Sequence, residues 1–278
     1  MVLESSILVI SKVILQLNAA GLNQYLSFKL RFDDSGTYSI NSNSRLIYFF
    51  VAYKLPRERA SKFPLIQEGT AYMYLTPGSS SRLQSGGVSS VFSYSESTSS
   101  WVMSNISMNS ELSMPARTLR RLYFDPNIKE NAAYAMYNDE APDGSKSFTK
   151  GHTKGVILMT PTGGYWLIHS VPKYPPNPQD GYSYPSSGHH YGQTMLCISL
   201  PVSEADNIGN QLLYNNPYIY ESNMPSTMSG MFPVLKQVID GKHPHKEPWF
   251  RITQLTSVGK KSFTSFAKYK KYGKGLYS

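Results

Sequence analysis

Three runs of β-branched and aromatic residues stand out in the first half of the chain, each bounded by turn-forming residues. The segment YFFVAY at 48–53 predicts a buried strand that ends before Pro56, and residues 71–75 predict a second strand. A third strand is predicted at 133–137, directly before the turn-rich segment NDEAPDGS. The pattern therefore predicts short strands separated by polar connections.

Two other segments each admit two interpretations. Serine dominates residues 78–113, which fits either a solvated loop or a locally packed strand around 101–103. The apolar stretch 5–22 has aliphatic residues at helical spacing, which favours an amphipathic helix, but it also fits a degraded or mis-started secretory signal. It is too short and too polar for a membrane span, so no stable membrane insertion is expected.

The segment GHTKGVILMTPTGGYWLIHSVPKYPP at 151–176 carries the clearest local pattern. Apolar runs at 156–159 and 165–168 flank TPTGG, whose proline and paired glycines predict the turn of a β-hairpin. His152, Thr153 and Lys154 stand at the start of the first run. On a strand, residues two apart share a face, so the imidazole and ammonium groups would lie about 6.6 Å apart along it.

Composition restricts the kinds of site that the chain can build. The sequence has 278 residues, 40% of them apolar, and one cysteine, which excludes an internal disulfide framework and a zinc site with several thiolates. The net charge of +9 is concentrated at the C-terminus, where six lysines and no acids follow residue 259. This basic end is a weak indication of a polyanionic partner.

An H-x-K triplet suits phosphodiester chemistry, because the histidine can attack phosphorus while the lysine holds a non-bridging oxygen. The triplet by itself is weak evidence, but its context is specific. The flanking segment GG-aromatic-WLIHSVPKYPP and several long blocks follow in a fixed order: YFFVAYKLP, YAMYNDE, YGQTMLCISLP, KEPW and SFAKYKKYGKGLYS. Together these blocks resemble the deoxyribonuclease II family over residues 46–278, which leaves 1–45 as a non-family segment.

The resemblance implies a phospholipase-D-like α/β (α+β) fold, with a mixed β-sheet flanked by helices. Here the N-terminal half is followed by an incomplete second half. It implies an acid endodeoxyribonuclease that needs no metal or other cofactor and leaves 3′-phosphate ends on its DNA substrate. In that family, one histidine forms a phosphohistidine and a second histidine protonates the leaving oxygen. A lysosomal or secreted location follows from the same resemblance.

Carried over by position, His152 and Lys154 form the first catalytic pair, and His169 matches a histidine that the family retains at its active site. The C-terminal lysines are interleaved with aromatic residues, so Lys268 and Lys271 are expected to bind DNA. Helical spacing equally fits a solvated amphipathic face in that stretch.

The chain departs from the family pattern in its second half. The sequence contains no second H-x-K, and Cys197, which matches a disulfide-bonded family position, has no partner cysteine. The alternative function is therefore an inactive truncated paralogue or DNA-binding decoy. A homodimer that pairs two single motifs is also left open.

The register of the hairpin decides whether His169 can join the site, because the side-chain period of a strand is two. If all of TPTGG forms the loop, His169 faces away from His152. If only PTGG forms the loop, Thr160 faces Tyr165 and His169 shares the face of His152 and Lys154. The second register, or a bulge with the same effect, is the prediction.

Overall fold

A computed structural model describes residues 48–76 and 101–273, together with the backbone of Leu8–Ile10 and Val13–Ile14. Residues 15–47 and the part of the serine-rich segment before residue 101 lie outside the described residues. The predicted strands of the first half are all present, with bounds that differ by a residue or two.

Eight strands form the main sheet, in the order β10-β6-β7-β8-β9-β3-β4-β5. Their bounds are β3 Phe49–Lys54, β4 Tyr72–Leu75, β5 Val102–Met103, β6 Ala133–Asn138, β7 Lys154–Thr160, β8 Gly163–His169, β9 Gln193–Leu200 and β10 Ile219–Asn223. Every neighbouring pair is antiparallel, so the expected mixed sheet is wrong in this detail. Tight connections such as the β7–β8 hairpin can join only antiparallel neighbours, whereas parallel neighbours need a long crossover.

Alternating side chains of the main sheet fill two separate cores, as the strand period of two requires. On one face, Leu158, Leu167 and Cys197 pack with helix α2 (Met114–Phe124) and α3 (Ile128–Asn131). Ser113 begins α2 by accepting a hydrogen bond from the amide of Ala116. We call this side of the sheet the α2 face. Cys197 is a buried free thiol in the middle of β9.

The opposite side, the α4 face, packs against helices and a second sheet. Helices α4 (Ala205–Asn215), α5 (Ser226–Ser229) and α6 (Pro233–Ile239) cover it, while the short α1 (Pro64–Glu68) contributes no buried residue. The predicted α+β class is thereby confirmed.

The second sheet has the strand order β11-β12-β1-β2. It contains β11 Phe250–Thr256, β12 Ser262–Lys268, β1 Leu8–Ile10 and β2 Val13–Ile14. Two helical interpretations are therefore wrong. The backbone of the N-terminal stretch forms strands, with β1 paired to β12 and β2 paired to β1, and the lysine-rich stretch lies on β12 and a short 3-10 turn at Lys270–Tyr272. In both places strand pairing overrides the helical spacing of the apolar residues.

Candidate active site

Five polar side chains are buried on the α2 face, at the end of the main sheet where β3, β6 and β8 finish and β7 and β9 begin. They are Lys54, Asn138, Lys154, His169 and Gln193. Buried polar groups need partners, because an unmet hydrogen bond inside a protein costs about 1–3 kcal/mol. Such a row at one sheet end therefore marks the candidate site.

Asp139 joins the two residues of the H-x-K triplet. It follows β6 directly, and the β6–β7 register places its neighbour Asn138 opposite Lys154. One carboxylate oxygen of Asp139 lies 2.6 Å from Nδ1 of His152, and the other accepts a hydrogen bond from Nζ of Lys154. Asp139 was not predicted from the sequence. The signal for it in the sequence was an acidic residue directly after a predicted strand.

The environment keeps the Asp139 carboxylate ionised. Partial burial by itself would raise its pKa, but the hydrogen bonds from His152 and Lys154, and their charges, outweigh burial and lower the pKa to about 2. An ionised carboxylate only accepts hydrogen bonds, so Nδ1 of His152 must carry the proton in this pair. In the neutral imidazole, Nε2 is then the basic nitrogen.

His152 does not lie on the strand as predicted but in a bend just before it. Its side chain is 58% exposed, whereas that of Lys154 is 7% exposed. The bend is supported by α4, because the carbonyl of Asn216 accepts a hydrogen bond from the amide of Gly151 at 2.9 Å. Both side chains of the triplet nevertheless reach the same carboxylate, so the structure brings them together.

The β7–β8 hairpin has a tighter turn than either predicted register. Thr160 pairs with Gly163 and Leu158 with Tyr165, which leaves only two residues in the loop. Gly164 lies in the strand rather than in the turn, and glycine is needed there because a side chain would collide with the carbonyl oxygen of Leu158. The predicted pairing of Thr160 with Tyr165 is therefore wrong.

The error in register is two residues, so the predicted face is still correct. Continuing the observed pairing places His169 opposite Lys154, on the α2 face. The imidazole of His169 is 7% exposed, and its Nδ1 accepts a hydrogen bond from the amide of Val171 at 3.2 Å. The ring meets Tyr174 edge to face at 5.2 Å between centroids.

Burial makes His169 a neutral imidazole. Its pKa falls to about 3, first because the charged form would lose its hydration and second because the Lys154 ammonium repels it. Its Nε2 is buried and has no hydrogen-bond partner among the residues that the structure describes. His169 thus lies beside the cluster but cannot serve as a protonated acid in this conformation.

A second buried lysine completes this end of the sheet. Nζ of Lys54 donates a hydrogen bond to the carbonyl of His189 at 2.7 Å, and desolvation lowers its pKa to about 8. The ring of His189 stacks on Tyr184, so the loop between β8 and β9 is fixed over the sheet end. Sequence reasoning missed Lys54, because a lysine at a strand end resembles an ordinary solvated one.

A shallow cleft of about 630 Å³ lies between the loop after β6 and the loop after β8. Its lining includes Asp143, Lys173 and Asn177. Lys173 also approaches Glu140, the residue after Asp139, at 3.6 Å. The volume falls within the range of small-molecule sites, and the lining is polar.

The two lysines predicted to bind DNA lie in another layer. Lys268 ends β12 in the second sheet, and Lys271 lies in the following turn with its Nζ 4.8 Å from the ring centroid of Trp249. That sheet packs against the α4 face, whereas Lys154 and His169 project from the α2 face. These two lysines are therefore separate from the Asp139 cluster.

Neither a spanning helix nor a metal cluster occurs in the part of the chain that the structure describes. Within residues 48–76 and 101–273, no helix is long and apolar enough to cross a membrane. The same ranges contain no group of three or more His, Cys, Asp or Glu side chains arranged to hold a metal ion.

Comparison with known proteins identifies the family of the chain. The family model for deoxyribonuclease II matches residues 39–278. The chain is 38% identical to deoxyribonuclease-2-alpha of Sus scrofa over 83% of its own length and 58% of that protein. It is 33% identical to plancitoxin-1 of Acanthaster planci, with coverages of 86% and 62%, and 32% identical to cell death-related nuclease 6 of Caenorhabditis elegans, with 86% and 57%. The chain thus spans about three fifths of the length of these relatives, and it belongs to the deoxyribonuclease II family.

Proposed function

We propose that the chain is an endodeoxyribonuclease whose nucleophile is Nε2 of His152. The observation that carries this proposal is the double contact of Asp139 with His152 and Lys154. A carboxylate on Nδ1 fixes the tautomer and the ring orientation, and it stabilises the imidazolium that forms when Nε2 bonds to phosphorus.

The reaction proceeds in two displacements. Nε2 of His152 attacks phosphorus, the bond from phosphorus to the 5′ oxygen breaks, and that oxygen takes up a proton from an acid. Water then attacks the phosphohistidine, which returns the imidazole and leaves a 3′-phosphate. Lys154 has three N–H donors, of which Asp139 occupies at least one, so another can hold a non-bridging oxygen. His152, Asp139 and Lys154 supply the nucleophile, its orientation and the phosphate contact, whereas the proton for the 5′ oxygen comes from outside these three residues.

An acidic setting, in the lysosome or outside the cell, is compatible with this cluster. Because the pKa of Asp139 is about 2, its carboxylate stays ionised at pH 5 and continues to orient His152. We propose DNA as the substrate, with Lys268 and Lys271 contacting phosphates outside the reacting centre.

A DNA-binding relative without turnover is the second candidate. The observation that favours it is the neutral, buried state of His169, which leaves the 5′ oxygen without a proton donor from that residue. A positioned general acid typically contributes about 10²–10⁴-fold in rate.

One experiment distinguishes the two candidates. The chain is incubated at acidic pH with plasmid DNA and, separately, with bis(p-nitrophenyl) phosphate, whose phenolate leaves without needing an acid. Cleavage of both, with 3′-phosphate ends on the DNA, supports the nuclease. Cleavage of the activated ester alone, or binding of DNA without any cleavage, supports the second candidate. If neither substrate is cleaved and DNA is not bound, both proposals fail.

A further inference from the structure

The second sheet presents an apolar patch outward at one end of β11 and β12. Along β11 and β12 the odd-numbered positions after Arg251 point inward, as with Leu255 and Phe263 in the core. The even-numbered positions carry partly exposed side chains, and Ile252 is 53% exposed. We define the aromatic face as Phe250, Ile252, Phe266 and Tyr272.

The rings of this face are nearly parallel to one another. Phe250 neighbours both other rings, and its centroid lies 5.4 Å from that of Tyr272 at an interplanar angle of 26°. Phe266 is 6.4 Å away at 29°. Aromatic side chains on an accessible sheet face are the stacking surfaces on which proteins hold unpaired bases.

Several lysines lie beside these rings. Lys268 pairs directly with Phe250 across the strands, and Lys270 and Lys271 follow in the next turn. Residues 248–278 contain seven lysines and arginines and no aspartate or glutamate. Stacking surfaces combined with lysines suit a polyanion that also has flat apolar groups, which describes a nucleic acid strand.

We propose that the aromatic face is a second DNA subsite, which stacks unpaired bases of a single strand while Lys268 and Lys270 contact its phosphates. The proposal rests on the proposed function only for the choice of DNA as the polymer. Duplex DNA hides the faces of its bases inside the helix, so the rings can recognise only a single strand or an opened end. The subsite lies in a different layer from the Asp139 cluster and is therefore outside the reacting centre.

Binding to a non-cleaving form of the full chain tests the proposal. In the His152→Ala background, fluorescence anisotropy is recorded with labelled oligothymidylate and with a duplex of equal length. We expect the single strand to bind more tightly than the duplex. Replacing Phe250 with Ala should weaken single-strand binding about tenfold, the effect typical of one lost base–ring stack.

Matched variants distinguish base stacking from misfolding and from non-specific hydrophobic binding. Phe250→Tyr keeps a ring and should retain binding, whereas Phe250→Leu keeps an apolar side chain without a ring and should lose it. Phe148 is 92% exposed elsewhere on the surface, and Phe148→Ala should change nothing. Equal weakening by Phe148→Ala, retention of binding by Phe250→Leu, or no preference for the single strand would each overturn the subsite.

Two further outcomes show which of the two proposals is wrong, the subsite or the nuclease. If light scattering shows a dimer that dissociates on Phe250→Ala while oligothymidylate does not bind, the face belongs to a second copy and the subsite is wrong. Because the binding assay uses a form without His152, its result is independent of turnover. If the chain binds the single strand but cleaves neither test substrate, the proposed nuclease is wrong and the subsite is supported.

Discussion

His152 and His169 lie at the same end of one sheet, on either side of Lys154, yet their imidazoles have opposite surroundings. His152 is largely exposed and hydrogen-bonded to an ionised carboxylate. His169 is buried against Tyr174 and lies opposite the Lys154 ammonium group, and its burial and that charge both lower its pKa. The first environment suits a group that becomes cationic during catalysis, and the second suits one that stays neutral.

The comparison shows that closeness at one sheet end does not give two histidines the same surroundings. A side chain's chemistry follows from its partners and its contact with water, rather than from its distance to the next histidine. Four predictions follow, ordered from a complete loss of activity to a small change in the salt dependence of DNA binding.

The largest effect is expected at His152. Replacing it with Ala removes the nucleophile, so hydrolysis of bis(p-nitrophenyl) phosphate should fall to the rate without enzyme. His190→Ala, which removes an exposed imidazole from the loop before β9, is the control and should retain full activity. Retained hydrolysis in His152→Ala would assign the chemistry to another residue.

Asp139→Asn should lower the same rate by about 10²–10⁴-fold, because an amide can present a donor to Nδ1 and no longer stabilises the imidazolium. Circular dichroism should show an unchanged fold. Asp240→Asn breaks an exposed pair with Lys236 and serves as the matched control. A loss below threefold would mean that Asp139 only completes the packing around Lys154.

His169 should make the fold less stable in acid. Its folded pKa of about 3 lies below the ordinary value near 6.5, so between these values the unfolded chain binds a proton that the folded chain does not. Stability is therefore present above pH 6.5 and declines as the pH falls toward 3. From pH 7 to pH 5 the expected loss is about 2 kcal/mol.

Urea unfolding of His169→Asn at both pH values measures this contribution. The Asn side-chain oxygen can accept the Val171 amide hydrogen bond as Nδ1 does, but it does not titrate. The difference between the two pH values should shrink by about 2 kcal/mol relative to the original chain. An unchanged difference, with His190→Asn as the reference, would show that His169 is hydrated and titrates normally.

The smallest effect is expected far from both histidines. Lys268→Ala should reduce the slope of the logarithm of DNA affinity against the logarithm of salt concentration by about 1, with the His152→Ala background preventing cleavage. Lys62→Ala, in the exposed segment before α1, is the control. Equal slopes for both variants would remove Lys268 from the DNA contacts.

Local patterns predicted the strands well, because β-branched and aromatic runs bounded by prolines and glycines have few alternatives. The same rules failed where two patterns competed. In the hairpin, Gly163 and Gly164 resemble turn residues but belong to β8. Glycine is needed at position 164 because a side chain there would collide with β7. At both ends of the chain, apolar residues at helical spacing instead complete a sheet.

The site was predicted only in part, for a physical reason. His152 and Lys154 lie two residues apart, so local spacing and family resemblance were sufficient to pair them. Asp139 and Lys54 reach the site through strand order, which brings together residues far apart in the sequence. No local window shows that β6 pairs with β7 or that β3 lies beside β9.

The lone thiol of Cys197 offers an internal reporter of opening in the main sheet. It lies between Phe50 of β3 and Leu167 of β8, and burial raises the pKa of its sulfhydryl group. Its side chain faces the layer of α2 and α3, so a thiol-specific dye can react with the native chain only when that layer lifts away or the central strands separate. Since the sequence has one cysteine, the labelling rate reports the opening around that single position. Measured as the pH is lowered, the rate would show when the centre of the molecule loses its protection.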